Sequence, residues 1–268
     1  LLGHLSWFAL LNRPFYAIFD HVYAFTRQSN ENEVVELPGN VISELICFVL
    51  LLPLLEADLR RTWLESLVAS DASQEFGFGV AAASITVDTA RFLGRVADRT
   101  GAFIRLDRTQ PHPDDEPERE RRGEPCRLGL SKHSFRTMVA SRRKFIAHSG
   151  TLEASGLSLA VRWVLRSRAR HSKRVVVLVD AKSVLGAAAR ERSSAPSLKR
   201  EVRRLGALTL AGDLLLRLVY IPSEDNPADA PSRGIIRRWL RRSARVHVDP
   251  FDKFAFGHRD CEKGLGKK

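Results

Sequence analysis

The chain has 268 residues, enough to bury a substantial core in one large domain or two small ones. Its 44% hydrophobic and 28% charged residues are typical of a globular protein, but its net charge of +12 is not. This positive excess predicts a polyanionic partner, most commonly nucleic acid, and leaves charge that serves only solubility as the alternative.

The three cysteines, Cys47, Cys126 and Cys261, have no CxxC or Cys/His spacing. This pattern argues against a disulfide framework and a structural zinc site, and it favours a reducing compartment. The chain begins with Leu and lacks the basic start and cleavage site of a signal peptide. We therefore expect an intracellular fragment of a longer protein, in the cytoplasm or nucleus. The apolar run from Leu45 to Leu55 contains Pro53 and predicts a buried helix, with no membrane partner.

Residues 1–60 predict a helical segment that precedes the main domain. Arg13-Pro14 begins one helical stretch, and we interpret its apolar stripe from Phe15 to Phe25 as packing. A turn at 37–40 precedes a second predicted helix from Val41 to Leu59.

The next segment predicts a β-hairpin. Residues 66–71 are typical of a strand that ends on an acid, and 76–81 of a second strand after a tight turn. Residues 106–125 are rich in proline and charge, so we predict a flexible loop or linker whose acids are solvated.

A regular alternation of helices and strands follows Ser131 and indicates a mixed α/β layer fold. The continuous branched run 174–180 is typical of a central strand that is buried on both faces. The remaining predicted elements are a helix at 152–168, helices at 182–189 and 198–210, a strand at 214–221 and a basic helix at 235–242.

Four acids lie at the edges of four different apolar elements: Asp71, Glu153, Asp180 and Asp229. Asp180 ends the most hydrophobic strand, where charge is costly unless it is paired or bound to metal, although it could simply cap the following helix. Glu153 lies one turn before Leu157 on the buried face of its helix, and its alternative role is to interact with the helix dipole. Together the four acids predict a site for two divalent cations, Mg²⁺ or Mn²⁺, since carboxylate oxygens are hard ligands.

The motifs around these acids resemble the ribonuclease H domain of retroelement reverse transcriptases, in the variant of tyrosine-recombinase-type and related retrotransposons. The resemblance covers about residues 63 to 234. It depends on these motifs: Ser70-Asp71-Ala72-Ser73 with Gly77 and Gly79, Leu152-Glu153-Ala154, Val179-Asp180, and Asn226-Pro227-Ala228-Asp229 with Ser232-Arg233. Residues 1–60 are similar, less specifically, to the segment that joins the polymerase thumb to ribonuclease H.

The resemblance implies a ribonuclease H-like fold, with a mixed five-stranded sheet flanked by helices, over a domain at 63–245. It implies that Asp71, Glu153, Asp180 and Asp229 bind two metal ions and cut the RNA strand of an RNA–DNA hybrid. It also implies an upstream polymerase domain as a partner in the same polyprotein. The tail at 246–268 has no signal that we can interpret.

The chain departs from the family pattern in two places. The stretch between Asp71 and Glu153 is long, and we assign the excess to the proline-rich insertion. Many members also carry a histidine roughly ten residues before the last acid, where this chain has Val219 and Tyr220.

Basic residues occur in three groups, at 162–174, 190–204 and 237–245, and predict phosphate contacts without sequence specificity. In the second group, Ser hydroxyls and Arg guanidinium groups are suited to hold a backbone phosphate, and an exposed connection between helices is the alternative. The predicted nucleic-acid-binding residues are Ser73, Arg190, Arg192, Ser193, Ser194 and Asn226.

Two alternatives to a ribonuclease H remain. One is a degenerate domain that binds nucleic acid or has a structural role but does not cut. The other is a different nuclease of the same broad fold, but the order of the acids disfavours an integrase. The motif Asp71-Ala72-Ser73 lacks the second acid of a proofreading exonuclease.

Overall fold

The computed structural model describes residues 1–28, 34–97, 101–107 and 123–236. The chain begins with helices α1 (Leu2–Ala9), α2 (His21–Gln28) and α3 (Gly39–Leu51), with a 3-10 helix at Arg13–Ile18 between the first two. Helix α3 is shorter than the predicted 41–59, because Pro53 removes a backbone donor and the chain continues as a short 3-10 helix, Leu52–Leu54. Among the described residues, no helix has the length and apolar character needed to cross a membrane.

The remaining chain forms a mixed α/β layer structure around one sheet. Its strands are β1 (Thr62–Ala72), β2 (Gly77–Ser84), β3 (Phe103–Asp107), β4 (Pro125–Ser131), β5 (Arg136–Arg142), β6 (Lys173–Val179) and β7 (Leu215–Tyr220). Its helices are α4 (Val87–Ala97), α5 (Ser149–Leu165), α6 (Lys182–Arg190), α7 (Pro196–Ala211) and α8 (Asp229–Ser232).

The sheet has seven strands in the order β4-β3-β7-β6-β1-β2-β5, so the predicted five-stranded sheet is wrong in its strand count. Strands β2 and β5 run antiparallel to their neighbours, and the other pairs are parallel. Because β1, β6 and β7 are parallel, their carboxyl ends meet at one edge of the sheet. This edge is where the predicted acids lie.

The two additional strands, β3 and β4, come from the long stretch between Asp71 and Glu153. They pair with each other and extend the sheet past β7, which β3 meets at the pair Phe103 and Tyr220. The predicted loop at 106–125 therefore begins and ends in strands, and its centre, 108–122, lies outside the described residues. The long stretch between Asp71 and Glu153 therefore also contains regular structure, namely α4, β3 and β4. Its extra length was predicted to come from the proline-rich insertion.

Two hydrophobic cores lie on opposite faces of the sheet. Helix α4 covers one face, where Leu67 and Ala69 of β1 point, and helices α5, α6 and α7 cover the other, where Val68 points. This alternation is the two-residue period of a strand that is buried on both faces.

The N-terminal helices pack on α7 around a third apolar cluster that includes Phe15 and Phe48. Arg203 of α7 donates hydrogen bonds to the carbonyl oxygens of Ala17 and Ile18, at 3.1 and 2.9 Å, and pairs with the buried Glu44 of α3.

The C-terminal predictions lie largely outside the described residues. Ile235 and Ile236 have no helical structure, and residues 237–242 of the predicted basic helix are not described. The same holds for the tail at 246–268 and for Cys261. Cys47 and Cys126 are free thiols.

Candidate metal centre

Two of the predicted acids lie at the carboxyl edge of the central strands. Asp71 is the next-to-last residue of β1 and is buried, and Asp180 directly follows β6. Strands β1 and β6 are adjacent and parallel, so both carboxylates reach the same edge of the sheet. The sequence places them there because each follows a run of apolar residues that the sheet buries on both faces.

The third acid, Glu153, comes from helix α5, which crosses β1 at close range. A Cβ atom at Gly156 would lie 3.1 Å from the carbonyl oxygen of Asp71, so this glycine permits the close approach. Leu157 and Val161 are fully buried against the sheet and orient the same face of the helix inward. As a result, the Glu153 carboxylate lies close enough to the backbone N–H of Ala72, at the end of β1, to interact with it electrostatically.

The three carboxylates form a cluster that could hold a metal ion. One oxygen from each of Asp71, Glu153 and Asp180 lies within 4.8 Å of the other two. Asp180 Oδ1 is buried without a hydrogen-bond partner. An unsatisfied anionic oxygen in such surroundings is costly unless a cation compensates it.

Burial and mutual repulsion perturb the titration of this cluster. Burial, with the nearby carboxylate of Asp180, raises the pKa of Glu153 to about 9. The same two causes raise the pKa of Asp71 to about 7. Without a cation, the cluster therefore retains protons at neutral pH, and the arrangement resembles sites that are built to bind positive charge.

The fourth predicted acid, Asp229, lies beside this cluster and does not belong to it. Asp229 begins α8, its side chain is 36% exposed, and its Oδ1 accepts a hydrogen bond from Arg233 Nε at 2.9 Å. Its charge contributes to the raised pKa of Asp71, so the two carboxylates interact. A role for Asp229 as a metal ligand stays a prediction.

Strand β2 and the loop that carries Asp229 are in close contact. A Cβ atom at Gly79 would lie 2.3 Å from the carbonyl oxygen of Ala228 and 2.5 Å from the backbone nitrogen of Ser232. Since Gly79 pairs with Asp71 in the ladder, this close approach brings the loop next to the carboxylate cluster.

Asn226 holds the end of strand β1 and the carboxylate of Asp71 from inside the protein. It is completely buried, and its Nδ2 donates to the carbonyl oxygen of Ser70 at 3.1 Å and to Asp71 Oδ1 at 3.4 Å. Its Oδ1 accepts from the backbone N–H of Ala228. The residue was predicted to contact nucleic acid, but the structure places it inside the protein, where it orients Asp71.

Arg105 of the inserted strand β3 holds the loop that carries Asn226. This buried residue pairs with Glu224 and with the completely buried Asp225, both at 3.2 Å. Asp225 directly precedes Asn226, so the inserted strand is connected to the carboxylate cluster through two neighbouring residues. Sequence reasoning missed Arg105, because only the tertiary pairing of β3 with β7 brings it to this loop.

Ser232 also escaped prediction as a site residue, although it was part of the quoted motif. It is completely buried, its hydroxyl donates to the carbonyl oxygen of Asp229 at 2.8 Å, and it lies within hydrogen-bonding reach of Asp71. Near Tyr220, where the resemblance implies a histidine, Lys182 Nζ lies 4.8 Å from the Tyr220 ring centre.

The other predicted nucleic-acid-binding residues lie in two places. Ser73 is in the turn between β1 and β2, where its N–H donates to Gly77 O at 2.7 Å and its Oγ accepts from the N–H of Glu75. Arg190 ends α6, and Arg192, Ser193 and Ser194 form the connection to α7. These four line a cleft and do not join the carboxylate cluster.

Neither comparison of the sequence places the chain in a known group: no protein-family model matches it, and no curated protein matches it.

Proposed function

We propose that the chain is a ribonuclease H-type endonuclease that hydrolyses the RNA strand of RNA–DNA hybrids with bound Mg²⁺ or Mn²⁺. The observation that carries this proposal is the convergence of Asp71, Glu153 and Asp180 at the carboxyl edge of the parallel strands. Three acids that are far apart in sequence meet there at a cost in repulsion and burial, which binding of a cation offsets.

The donor set fits a hard divalent cation. All three side chains present oxygen only, and no described His or Cys belongs to the cluster. Carboxylate oxygens select Mg²⁺ or Mn²⁺ over zinc. The Oδ1 of Asp180, which is buried without a hydrogen-bond partner, is a further carboxylate oxygen that is available to coordinate such a cation.

The chain's own residues would prepare the reaction as follows. Asp71, Glu153 and Asp180 would hold the cations, and Asn226 fixes the orientation of Asp71. When bound, a pair of divalent cations supplies a water nucleophile at neutral pH and stabilises charge on the leaving oxygen. Asp229, exposed beside the cluster, is available as a further ligand once it is released from Arg233.

The fold supports the proposed ribonuclease H-like core. Without β3 and β4, five strands remain in a mixed sheet with helices on both faces, as the resemblance implies. On this proposal, α4, β3 and β4 are an insertion that extends the sheet at its far edge. Membership of a reverse transcriptase polyprotein, with an upstream polymerase domain as partner, is part of the same proposal.

Cleavage of labelled duplexes by the purified chain tests the proposal. We expect cleavage of the RNA strand of an RNA–DNA hybrid with Mg²⁺, no cleavage with EDTA, and no cleavage of double-stranded DNA. Asp180→Asn should abolish cleavage, whereas Asp88→Asn, an exposed acid on α4, should retain it. Equal cleavage by wild type and Asp180→Asn would exclude this site as the source of activity.

A degenerate domain that binds nucleic acid without cutting is the second candidate. The exclusion of Asp229 from the carboxylate cluster, and its pairing with Arg233, favour it. Wild-type protein that binds hybrid but does not cleave it with either Mg²⁺ or Mn²⁺ would support this candidate over the first.

A further inference from the structure

A basic cleft separates the N-terminal segment from the α6–α7 connection. It has a volume of about 810 Å³ and is open to solvent on one side. Helix α2 contributes one wall and the end of α6 with residues 192–199 contributes the other. Its polar lining consists of Asp20, Tyr23, Thr26, Arg27, Ser183, Arg190, Arg192, Ser193, Ser194 and Lys199.

The charge of this cleft is strongly positive. Lys199 is neutralised by Asp20, with Nζ and Oδ1 2.6 Å apart. Arg27, Arg190 and Arg192 make no ion pair with any residue in the described part of the chain. These three arginines line the same open volume as Ser193 and Ser194, and guanidinium and hydroxyl groups are the donors that bind phosphate oxygens.

Two of the arginines are held in place by the same aromatic residue of α2. Arg27 Nε donates to the carbonyl oxygen of Tyr23 at 3.1 Å, and the guanidinium of Arg192 lies 5.8 Å from the Tyr23 ring centre. The guanidinium group of Arg192, on the α6–α7 connection, is thus packed against the N-terminal segment. The cleft exists only when the two parts of the chain are docked.

The cleft also reaches toward the carboxylate cluster. Ser183 lines its α6 end and lies three residues after Asp180. A strand whose phosphates follow the cleft would leave it at the start of α6, on the side of the sheet edge where Asp180 lies.

We infer that helix α2 and the α6–α7 connection together bind the phosphate backbone of one nucleic-acid strand, with Arg27 as a contact from the N-terminal segment. This inference depends on the proposed function in one respect only, which is the identity of the nucleic-acid strand that continues from the cleft to the carboxylate cluster. It gives the N-terminal segment a binding role in addition to the packing role predicted from its apolar stripe.

Equilibrium binding without a divalent metal tests this inference independently of cleavage. The probe is a fluorescent RNA–DNA hybrid, and anisotropy is measured from about 50 to 300 mM salt for the full chain. The double variant Arg27→Gln/Arg190→Gln should lower affinity about tenfold at low salt and reduce the slope of log K against log[salt] by about 2, one for each lost phosphate contact.

The matched control is Arg91→Gln/Arg95→Gln. Both are exposed arginines of α4, on the opposite face of the sheet, so their loss changes net charge equally without touching the cleft. Arg27→Lys keeps the charge and should restore most of the affinity when it replaces Arg27→Gln. Circular dichroism and thermal unfolding of each variant establish that the fold is unchanged.

The outcomes separate the two proposals. Reduced binding in Arg27→Gln/Arg190→Gln but not in Arg91→Gln/Arg95→Gln supports the cleft, whether or not wild type cleaves. Equal losses in both variants would show that charge acts nonspecifically, and no loss in either would show that the cleft arginines do not contribute to binding; both results overturn the assignment. Binding of inorganic phosphate at millimolar concentration, measured by calorimetry, without any hybrid binding would also overturn it, because the cleft would then be a small-anion site.

Discussion

The carboxylate cluster and the basic cleft place charge under opposite physical conditions. Asp71, Glu153 and Asp180 are collected at a buried sheet edge, where desolvation and repulsion raise the pKa values of Asp71 and Glu153. The arginines of the cleft are exposed and line an open volume, so they remain solvated. In the carboxylate cluster, the precise geometry is unfavourable in free energy because the charges are desolvated and repel one another. In the basic cleft, the positive charges cost little because they are solvated, and such a surface is suited to a partner of variable sequence.

The difference predicts separate consequences for cleavage and binding. Asp71→Asn should reduce Mg²⁺-dependent cleavage by about a thousandfold or more, because it removes a ligand of the reacting centre. Hybrid affinity without metal should not fall, since the substitution removes a negative charge. Single-turnover cleavage and anisotropy, measured on the same preparation, check both expectations. A parallel loss of binding and cleavage would indicate that the variant is misfolded or that the two regions are not distinct.

Close packing at the sheet edge provides the next test. Gly79→Ala should destabilise the protein by about 1–3 kcal/mol and reduce cleavage, because the new methyl group collides with the backbone of Ala228 and Ser232. Gly129→Ala on β4 is the matched control, since its Cβ would meet only Asp107 Oδ2, at 4.0 Å. Chemical denaturation measures the free energy of unfolding. Equal stability of the two variants would contradict the close approach of β2 to the loop.

The inserted strand should matter for the metal centre and not for the cleft. Arg105→Met removes the ion pairs that Arg105 makes with Glu224 and the buried Asp225, so we expect the Asn226 loop to loosen and metal affinity to fall about 10–100-fold, as for other residues that position ligands. Calorimetric titration with Mn²⁺ measures this change. Arg127→Met, on the neighbouring strand β4, is the comparison variant. Unaltered Mn²⁺ affinity in Arg105→Met would show that the loop does not depend on this ion pair.

The raised pKa values predict how metal binding depends on pH. Since a carboxylate must lose its proton to bind a cation, affinity should rise about tenfold per pH unit for each proton released, up to the Glu153 pKa of about 9. Glu153→Gln should flatten this dependence and weaken binding. Mn²⁺ titrations between pH 6 and 9, with Glu36→Gln as an exposed control, provide the measurement. A pH-independent wild-type affinity would contradict a protonated cluster.

The same shift also makes stability depend on pH, with a defined sign. Without metal, the folded protein holds the Glu153 proton more tightly than the unfolded chain, whose ordinary pKa is 4.5. The free energy of unfolding contributed by this residue is therefore greatest below pH 4.5 and declines until about pH 9. Thermal unfolding in EDTA should show a shallower decline for Glu153→Gln. A steeper decline in the variant would contradict the raised pKa of Glu153.

Local patterns were sufficient for the elements that carry the carboxylates. The branched apolar run before Asp180 indicates a buried strand, and the apolar face around Glu153 indicates an amphipathic helix. Strand β6 and helix α5 were therefore predicted within a few residues. The inserted strands β3 and β4 were missed, because short strands beside a charged, proline-rich run lack a local pattern that separates them from loops. Strand β3 pairs with β7, which is more than 100 residues away in the sequence, and β4 pairs with β3.

The sequence by itself determined the positive charge, the mixed α/β class and the acids that could bind metal, because composition and residue periodicity are local properties. The tertiary structure decided which acids meet: parallel pairing of β1 and β6, with the close approach of α5, joins Asp71, Glu153 and Asp180 and leaves Asp229 beside them. It also turned Asn226 from a surface residue into a buried support and made helix α2 one wall of the basic cleft. These outcomes depend on distances between segments that are remote in the chain, which no local pattern encodes.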